Sequence, residues 1–428
     1  MIQAGSQTDI KTIRSPWAFV PTLYFAEGLP YVIINTVSVA LYKRMDVDNA
    51  RIAFWTSWLY LPWVIKMFWS PMVDLVSTKR NWIISTQVAM ALCLFIVASS
   101  LMGGSFFAVS LAAFCAAAFV SATHDIATDG FYMLALTKSG QALFVGIRTT
   151  FYRLAMIFGS GALVYLAGIL EESGRRVGEA WMISMAVPTV MFILFALYHR
   201  AILPFPQEDG RGVGRADEGS FIEIISSYFR QEKIWAVAAF ILLYRFAEAM
   251  MLKLVAPFLL DSGEAGGLGL STKQLGLVYG TVGMICLIMG GIIGGWLIAK
   301  YGFRRCIWPM ALALHLPDAV YVYMAYTRPP IEIVFPLVAL EQLGYGVGFT
   351  AFTVFLMYAS RGRYKTSHFA ISTGIMALGM MIPGAISGYI QQALGYKTFF
   401  LIVMAMTLPG MLSVVFIPKD DKVSEISR

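Results

Sequence analysis

The sequence predicts an all-α polytopic membrane protein: twelve transmembrane helices in two six-helix bundles. Three observations predict it. Apolar types make up 58% of the 428 residues, charged types only 13%, and mean hydropathy is +0.70. Soluble globular chains carry nearer ~25% charge. Apolar stretches near the ~20 residues that a bilayer crossing needs recur twelve times. One long polar segment divides them six and six, and the halves repeat one another.

The twelve stretches are 17–41, 52–73, 82–101, 106–136, 142–170, 180–199, 233–260, 273–299, 306–326, 332–358, 367–394 and 398–417. The first is too long for a signal peptide and carries Glu27 and Pro30, so a retained span is expected. Twelve spans put both termini on one side. Of the 32 Lys and Arg, 19 then fall on the side of the termini, 8 on the opposite side and 5 within spans. The positive-inside rule therefore places both termini in the cytoplasm. The polar segment gives a domain plan of 1–200, a cytoplasmic linker over 201–232, and 233–428.

The halves match at a nearly constant offset. LYFAE (23–27) parallels LYRFAE (243–248), which sets Glu27 against Glu248. WSPMVDLVSTKR (69–80) parallels GWLIAKYGFRR (295–305), and AMIFGSG (155–161) parallels GMMIPGA (379–385). Parallel six-span repeats with the substrate between them are the plan of many secondary transporters.

Composition and motifs also exclude functions. The net charge of +7 sits mostly at helix ends, where a bilayer sorts charge, so no nucleic-acid partner is expected. The four Cys lie in apolar stretches without CxxC spacing and read as core fillers. There is no GxxxxGK[ST], HExxH or GxSxG, so ATP-driven pumping, metal and cofactor chemistry and an enzyme are not expected.

Eleven ionisable residues fall inside the spans: Glu27, Lys66, Asp125, Asp129, Arg148, Arg153, Arg245, Glu248, Lys253, Asp318 and Glu341. Each facing lipid would cost about 2.5–3.5 kcal/mol, roughly 30 kcal/mol together, so they must face one another or a water-filled path. Asp125 and Asp129 are four apart and share a helix face. Carboxylates that close repel, which suits a group that loads and releases a proton. Glu27 and Glu248 join them as coupling candidates, because Gly28 and Pro30 loosen the helix beside the first of the two. An intrahelical pair of Arg245 with Glu248 is the plainer alternative. Lys66 lies among Trp63, Phe68 and Trp69, and Arg153 lies deeper than Arg148. Lys66, Arg153, Arg245 and Lys253 are therefore the candidates for binding carboxylates of a cargo. Tyr24, Tyr31, Tyr60 and Trp63 are the candidates for stacking on it.

GGWLIAKYGFRR (294–305) resembles the cytoplasmic loop motif of the major facilitator superfamily, with Gly302 for the tight turn and Lys300 where an acid is usual. FAEGLPY (25–31), Lys66-x-x-Trp69-Ser70-Pro71-x-x-Asp74, Asp125-Ile126-x-x-Asp129 and Tyr152-Arg153-Leu154 with the Gly-rich run after it carry a closer likeness. Over most of residues 20–165 they resemble the AmpG family of muropeptide permeases, a branch of that superfamily which also holds acetyl-CoA transporters. His124 stands where Gln is usual, and Gly130 follows Asp129 as in the acetyl-CoA transporters. The resemblance implies the major facilitator fold and a monomer. It also implies proton-coupled import of anhydromuropeptides across the cytoplasmic (inner) membrane for peptidoglycan recycling, with acetyl-CoA or another organic anion as the alternative cargo.

Overall fold

A computed structural model describes residues 15–206, 221–360 and 365–417. Residues 207–220 of the expected linker lie outside the described residues, as do the two ends of the chain.

The described residues are helical almost throughout. Among the described residues, nine helices are each long and apolar enough to cross a membrane. Eight are single spans: Pro16–Arg44, Lys79–Ser100, Phe106–Ala135, Leu143–Glu172, Val177–Ile202, Ile234–Leu260, Thr272–Tyr301 and Ile331–Ala359. The ninth, Ile371–Ser413, holds the eleventh and twelfth spans in one run. It bends at Gly395, whose φ of 72° suits a residue without Cβ. The second span is broken into Asn49–Trp58, Leu61–Ile65, Lys66–Phe68 and Ser70–Val76, with Pro62 and Pro71 each in the first turn of a piece. The ninth is broken into Phe303–His315, Leu316–Asp318 and Ala319–Thr327 around Pro317. Eight, two and two make the twelve expected crossings.

Local chemistry starts several of these helices. Asp48, Thr78 and Thr137 each accept a backbone N–H of the first turn. Ser271 and Gln274 form a reciprocal capping box ahead of the eighth span. Gly302 turns the chain between the eighth and ninth spans at φ 80°, the role its motif implies.

Buried polar side chains tie spans together where apolar packing alone is not directional. Gln87 of the third span lies 3.1 Å from the His124 ring and 3.0 Å from the His199 ring, and His199 meets Thr22 at 2.9 Å. His124 is thus a satisfied core histidine joining the third and fourth spans. The short helix Phe221–Phe229 docks on the eleventh span through Tyr228 and Ser372, 2.9 Å apart.

The halves meet closely on the side opposite the termini. Lys43 pairs with Asp261 at 2.6 Å, and Asn49 donates to Gln391 and to Tyr396 at 2.8 and 2.9 Å. Thr272 donates to Glu171 at 2.6 Å, and Lys273 pairs with Glu172 at 3.0 Å. The molecule is therefore clasped at that end.

Among the described residues, three segments wind as π-helix: Ile33–Val37, Phe158–Leu163 and Gly276–Gly283. The last two press together across the interface, where Ser160 donates to the Gly280 carbonyl at 3.2 Å.

Candidate functional site

The first, second, fourth and fifth spans bring five charges to one level. Carboxylate oxygens of Glu27, Asp125 and Asp129 all lie within 4.8 Å of one another. Lys66 forms an ion pair with Asp125, and Arg148 pairs with Asp129 at 3.2 Å. The break of the second span at Ile65–Lys66 turns Lys66 towards the fourth span. Tyr24 donates to Asp129 at 2.9 Å, and Arg148 donates to the Tyr24 hydroxyl at 3.0 Å while lying 4.8 Å over the ring.

Glu27 differs from its two neighbours. It is only 9% exposed, its Oε2 has no hydrogen-bond partner, and among the described residues no cation lies within 4.0 Å of it. Two carboxylates are matched by cations and the third is not. The cluster is nevertheless wetted: Asp129, Lys66 and Arg148 keep 42, 37 and 33% of their side-chain surfaces exposed. Charged residues inside a span with such exposure are expected to face water and not lipid.

Beside the acids stands an aromatic wall. Tyr31 meets Trp63 edge-on at 5.3 Å and Tyr60 at 6.1 Å, with Tyr152 tilted against it at 6.5 Å. Three of the four expected stacking residues, Tyr31, Tyr60 and Trp63, gather there, half-buried. The fourth, Tyr24, is placed differently: it is buried and its hydroxyl holds Asp129, so it shapes the acid cluster.

The second half contributes a separate group. Arg245 grips Glu248 through two bonds of 3.0 and 3.2 Å, and donates to Tyr345 at 2.6 Å. Both charges are buried, and Glu248 is neutralised within its own helix. The structure thus takes the plainer alternative for this pair and does not bring Glu248 to the acid cluster. Lys253 is buried, donates to the Thr56 carbonyl of the other half at 3.2 Å and lies 5.2 Å over Tyr60. Arg153 projects towards Gly291 of the eighth span, where a Cβ would sit 3.7 Å from its guanidinium, and no carboxylate lies within 4.0 Å of it among the described residues. Asp318 and Glu341 are buried within electrostatic reach of Glu248. Glu341 accepts from Tyr321 and Gln342 at 3.0 Å each, and Asp318 Oδ2 has no partner.

Sequence reasoning did not single out Tyr345, Asn35 or Tyr279, and took Tyr152 only as part of a motif; these residues line or support the same space. Uncharged polar residues give no signal in a hydropathy trace. Arg148, the shallower of the two arginines on the fifth span, is the partner of Asp129.

Known proteins resemble the chain over nearly its whole length. The model of the Major Facilitator Superfamily matches residues 22–367. The anhydromuropeptide permease of Escherichia coli (strain K12) is 25% identical over 405 residues, covering 92% of this chain and 78% of that protein. A putative transporter AmpG 2 of Rickettsia prowazekii is 23% identical, covering 94% and 95%. Among solved structures, a bacterial homologue of the human lysosomal transporter Spinster, inward-facing and unoccupied, superposes with TM-score 0.73 at 16% identity, covering 99% of both chains. A D-xylose–proton symporter gives TM-score 0.71 at 11% identity, covering 94% of this chain and 98% of that one.

Proposed function

The chain belongs to the Major Facilitator Superfamily and is a multi-pass membrane transporter, not an enzyme, and we propose that it imports anhydromuropeptides together with protons across the inner membrane. The cycle is alternating access, and the clasped state described above opens towards the termini, which we place in the cytoplasm. Domain bounds of 1–200, 201–232 and 233–428 go with this reading.

The observation that carries proton coupling is the unmatched Glu27. A charged, buried carboxylate without a cation is costly, and a proton removes the charge. Lys66 and Arg148 hold the other two acids, so proton loss from Glu27 puts a third negative charge beside Asp125 and Asp129. That repulsion changes how the first span packs on the fourth, which gives protonation a mechanical consequence. Asp125 and Asp129 set the local field in this scheme, and Glu248 is a structural counter-ion to Arg245. The cargo side is the aromatic wall with Arg153 and Lys253, two cations without carboxylate partners. Sugar rings suit Tyr31, Tyr60 and Trp63, and stem-peptide carboxylates suit the cations. The anhydromuropeptide permease relative supports that cargo.

The test is uptake of labelled N-acetylglucosaminyl-anhydro-N-acetylmuramyl tripeptide into proteoliposomes, with and without an inward proton gradient. Gradient-driven accumulation that Glu27→Gln abolishes, with cargo exchange across equal pH retained, is the expected result. Accumulation unchanged in Glu27→Gln refutes the coupling role. No uptake by folded, inserted protein refutes the cargo.

A further inference from the structure

A cavity between the first, second, seventh, eighth and eleventh spans is lined by residues that include Asn35, Tyr60, Lys253 and Tyr279. Two of its polar side chains have unfilled bonding capacity. Lys253 is 5% exposed, and its ammonium, which carries three N–H donors, makes one hydrogen bond, to the Thr56 carbonyl. No carboxylate lies within 4.0 Å of it among the described residues. Asn35 is also 5% exposed; its Nδ2 donates to the Tyr31 carbonyl at 3.0 Å, and its Oδ1 has no partner. Buried cations and buried carbonyl oxygens left in this way are costly unless something completes them. Two of the flanking helices depart from α-helical winding here. Asn35 sits in the π-helical Ile33–Val37 and Tyr279 in the π-helical Gly276–Gly283. Such bulges re-aim side chains and are frequent at functional sites.

We propose that this cavity is a subsite for a carboxylate that has an N–H donor next to it, as at the end of an N-acylated amino acid or peptide. Lys253 binds the carboxylate and Asn35 Oδ1 accepts from the neighbouring amide. A phosphate fits less well: a single ammonium faces it, and the Asn35 carbonyl oxygen repels an oxyanion that brings no donor. The site therefore selects against phosphorylated carriers and for a peptide terminus. The proposal deepens the transporter reading above and rests on it for the identity of the whole cargo.

The experiment measures binding, not transport. Purified protein is titrated with N-acetylglycine and with N-acetylglycinamide, following ligand-induced thermal stabilisation. The same titrations are run on Lys253→Gln, Lys253→Arg and Asn35→Leu. The anhydromuropeptide above is titrated in parallel against parent and Lys253→Gln. The parent should prefer the acid over the amide by roughly ten- to hundredfold, the range of a hydrogen bond to a charged group. Lys253→Gln should erase that preference and Lys253→Arg should restore it. Asn35→Leu should weaken both ligands several-fold while keeping the preference. Equal binding of acid and amide by the parent, a preference that persists in Lys253→Gln, or no binding of either probe overturns the subsite. A muropeptide that fails to bind while N-acetylglycine behaves as expected removes the cargo assignment and leaves the subsite. A muropeptide bound equally by parent and Lys253→Gln does the reverse.

Discussion

Gly280 faces Ser160 and Gly161 across the interface of the halves, at the point where two π-helical segments touch. A Cβ built there overlaps the Ser160 carbonyl and comes within 2.7 Å of the Gly161 nitrogen. The atoms it meets are backbone, so no side-chain rotation relieves the contact. Overpacking of a tight site costs about 1–3 kcal/mol. In Gly280→Ala that cost falls only on the state in which the halves are closed at this end. The gain of about 1 kcal/mol in helix propensity falls on both states and cancels. The equilibrium should therefore move towards the state open opposite the termini, by about 5- to 150-fold. Spin labels at Arg175→Cys and Glu264→Cys, exposed residues on opposite halves, would read the separation by pulsed electron resonance in a background lacking the native cysteines. A longer-distance population should appear in Gly280→Ala. It should also appear in Gly276→Ala, whose Cβ would meet the Tyr165 nitrogen at 2.7 Å. Gly295→Ala is the control, since nothing lies within 4 Å of its Cβ on the same span. A folded Gly280→Ala with the parent's distance distribution would refute the reasoning.

The clasp makes a parallel case: Lys43→Gln removes a 2.6 Å ion pair and should shift the same distances outward by roughly tenfold in population, with Lys43→Asp/Asp261→Lys restoring part of the closed state. Arg245→Ala strands the buried Glu248 and should lower unfolding stability by about 3–5 kcal/mol, seen as a fall in melting temperature, whereas Arg245→Met/Glu248→Leu should recover most of it. Asp318 has no cation within 4.0 Å among the described residues, so Asp318→Asn loses no ion pair and should melt within about 1 kcal/mol of the parent. Tyr24→Phe removes the hydroxyl shared by Asp129 and Arg148 and should alter the pH profile of uptake more than its cargo affinity.

The crossings were legible because a bilayer imposes one simple demand, length of apolar helix, and a hydropathy reading measures it directly. The breaks at Lys66 and Asp318 were legible only as prolines nearby; which pieces result depends on the neighbours each piece packs against. The acid cluster was half legible. Helical spacing alone placed Asp125 and Asp129 on one face, and the repeat drew Glu27 to notice. That Arg148 and Tyr24 close on Asp129 depends on the contact of the first and fifth spans, 124 residues apart for that pair, and no local pattern encodes it. The π-helical segments left no mark in composition. Asn35, in the middle of an apolar run, reads as a tolerated polar residue until its unpaired oxygen and Lys253 are seen to share a cavity.

Glu27 and Glu248 occupy equivalent places in the repeat, and the structure treats them oppositely. One residue explains the difference. LYRFAE has Arg245 three positions before its Glu, one helical turn away, and the pair closes on itself. LYFAE has no such base, so Glu27 must look to other helices, and finds two acids whose cations are already engaged. A carboxylate satisfied inside its own helix keeps that partner whichever way the halves tilt, so its protonation has no reason to follow the cycle. A carboxylate whose surroundings are built from the second, fourth and fifth spans meets a new field whenever those spans move. In the proposed cycle, coupling therefore belongs to the first half, with the second half supplying Lys253 and a rigid frame. Moving the base tests this division: Tyr24 stands three positions before Glu27, so Tyr24→Arg places a guanidinium one turn away, as Arg245 stands to Glu248. That variant should bind cargo and exchange it across equal pH while losing accumulation driven by a proton gradient. Retained gradient-driven accumulation would mean that the proton is carried elsewhere.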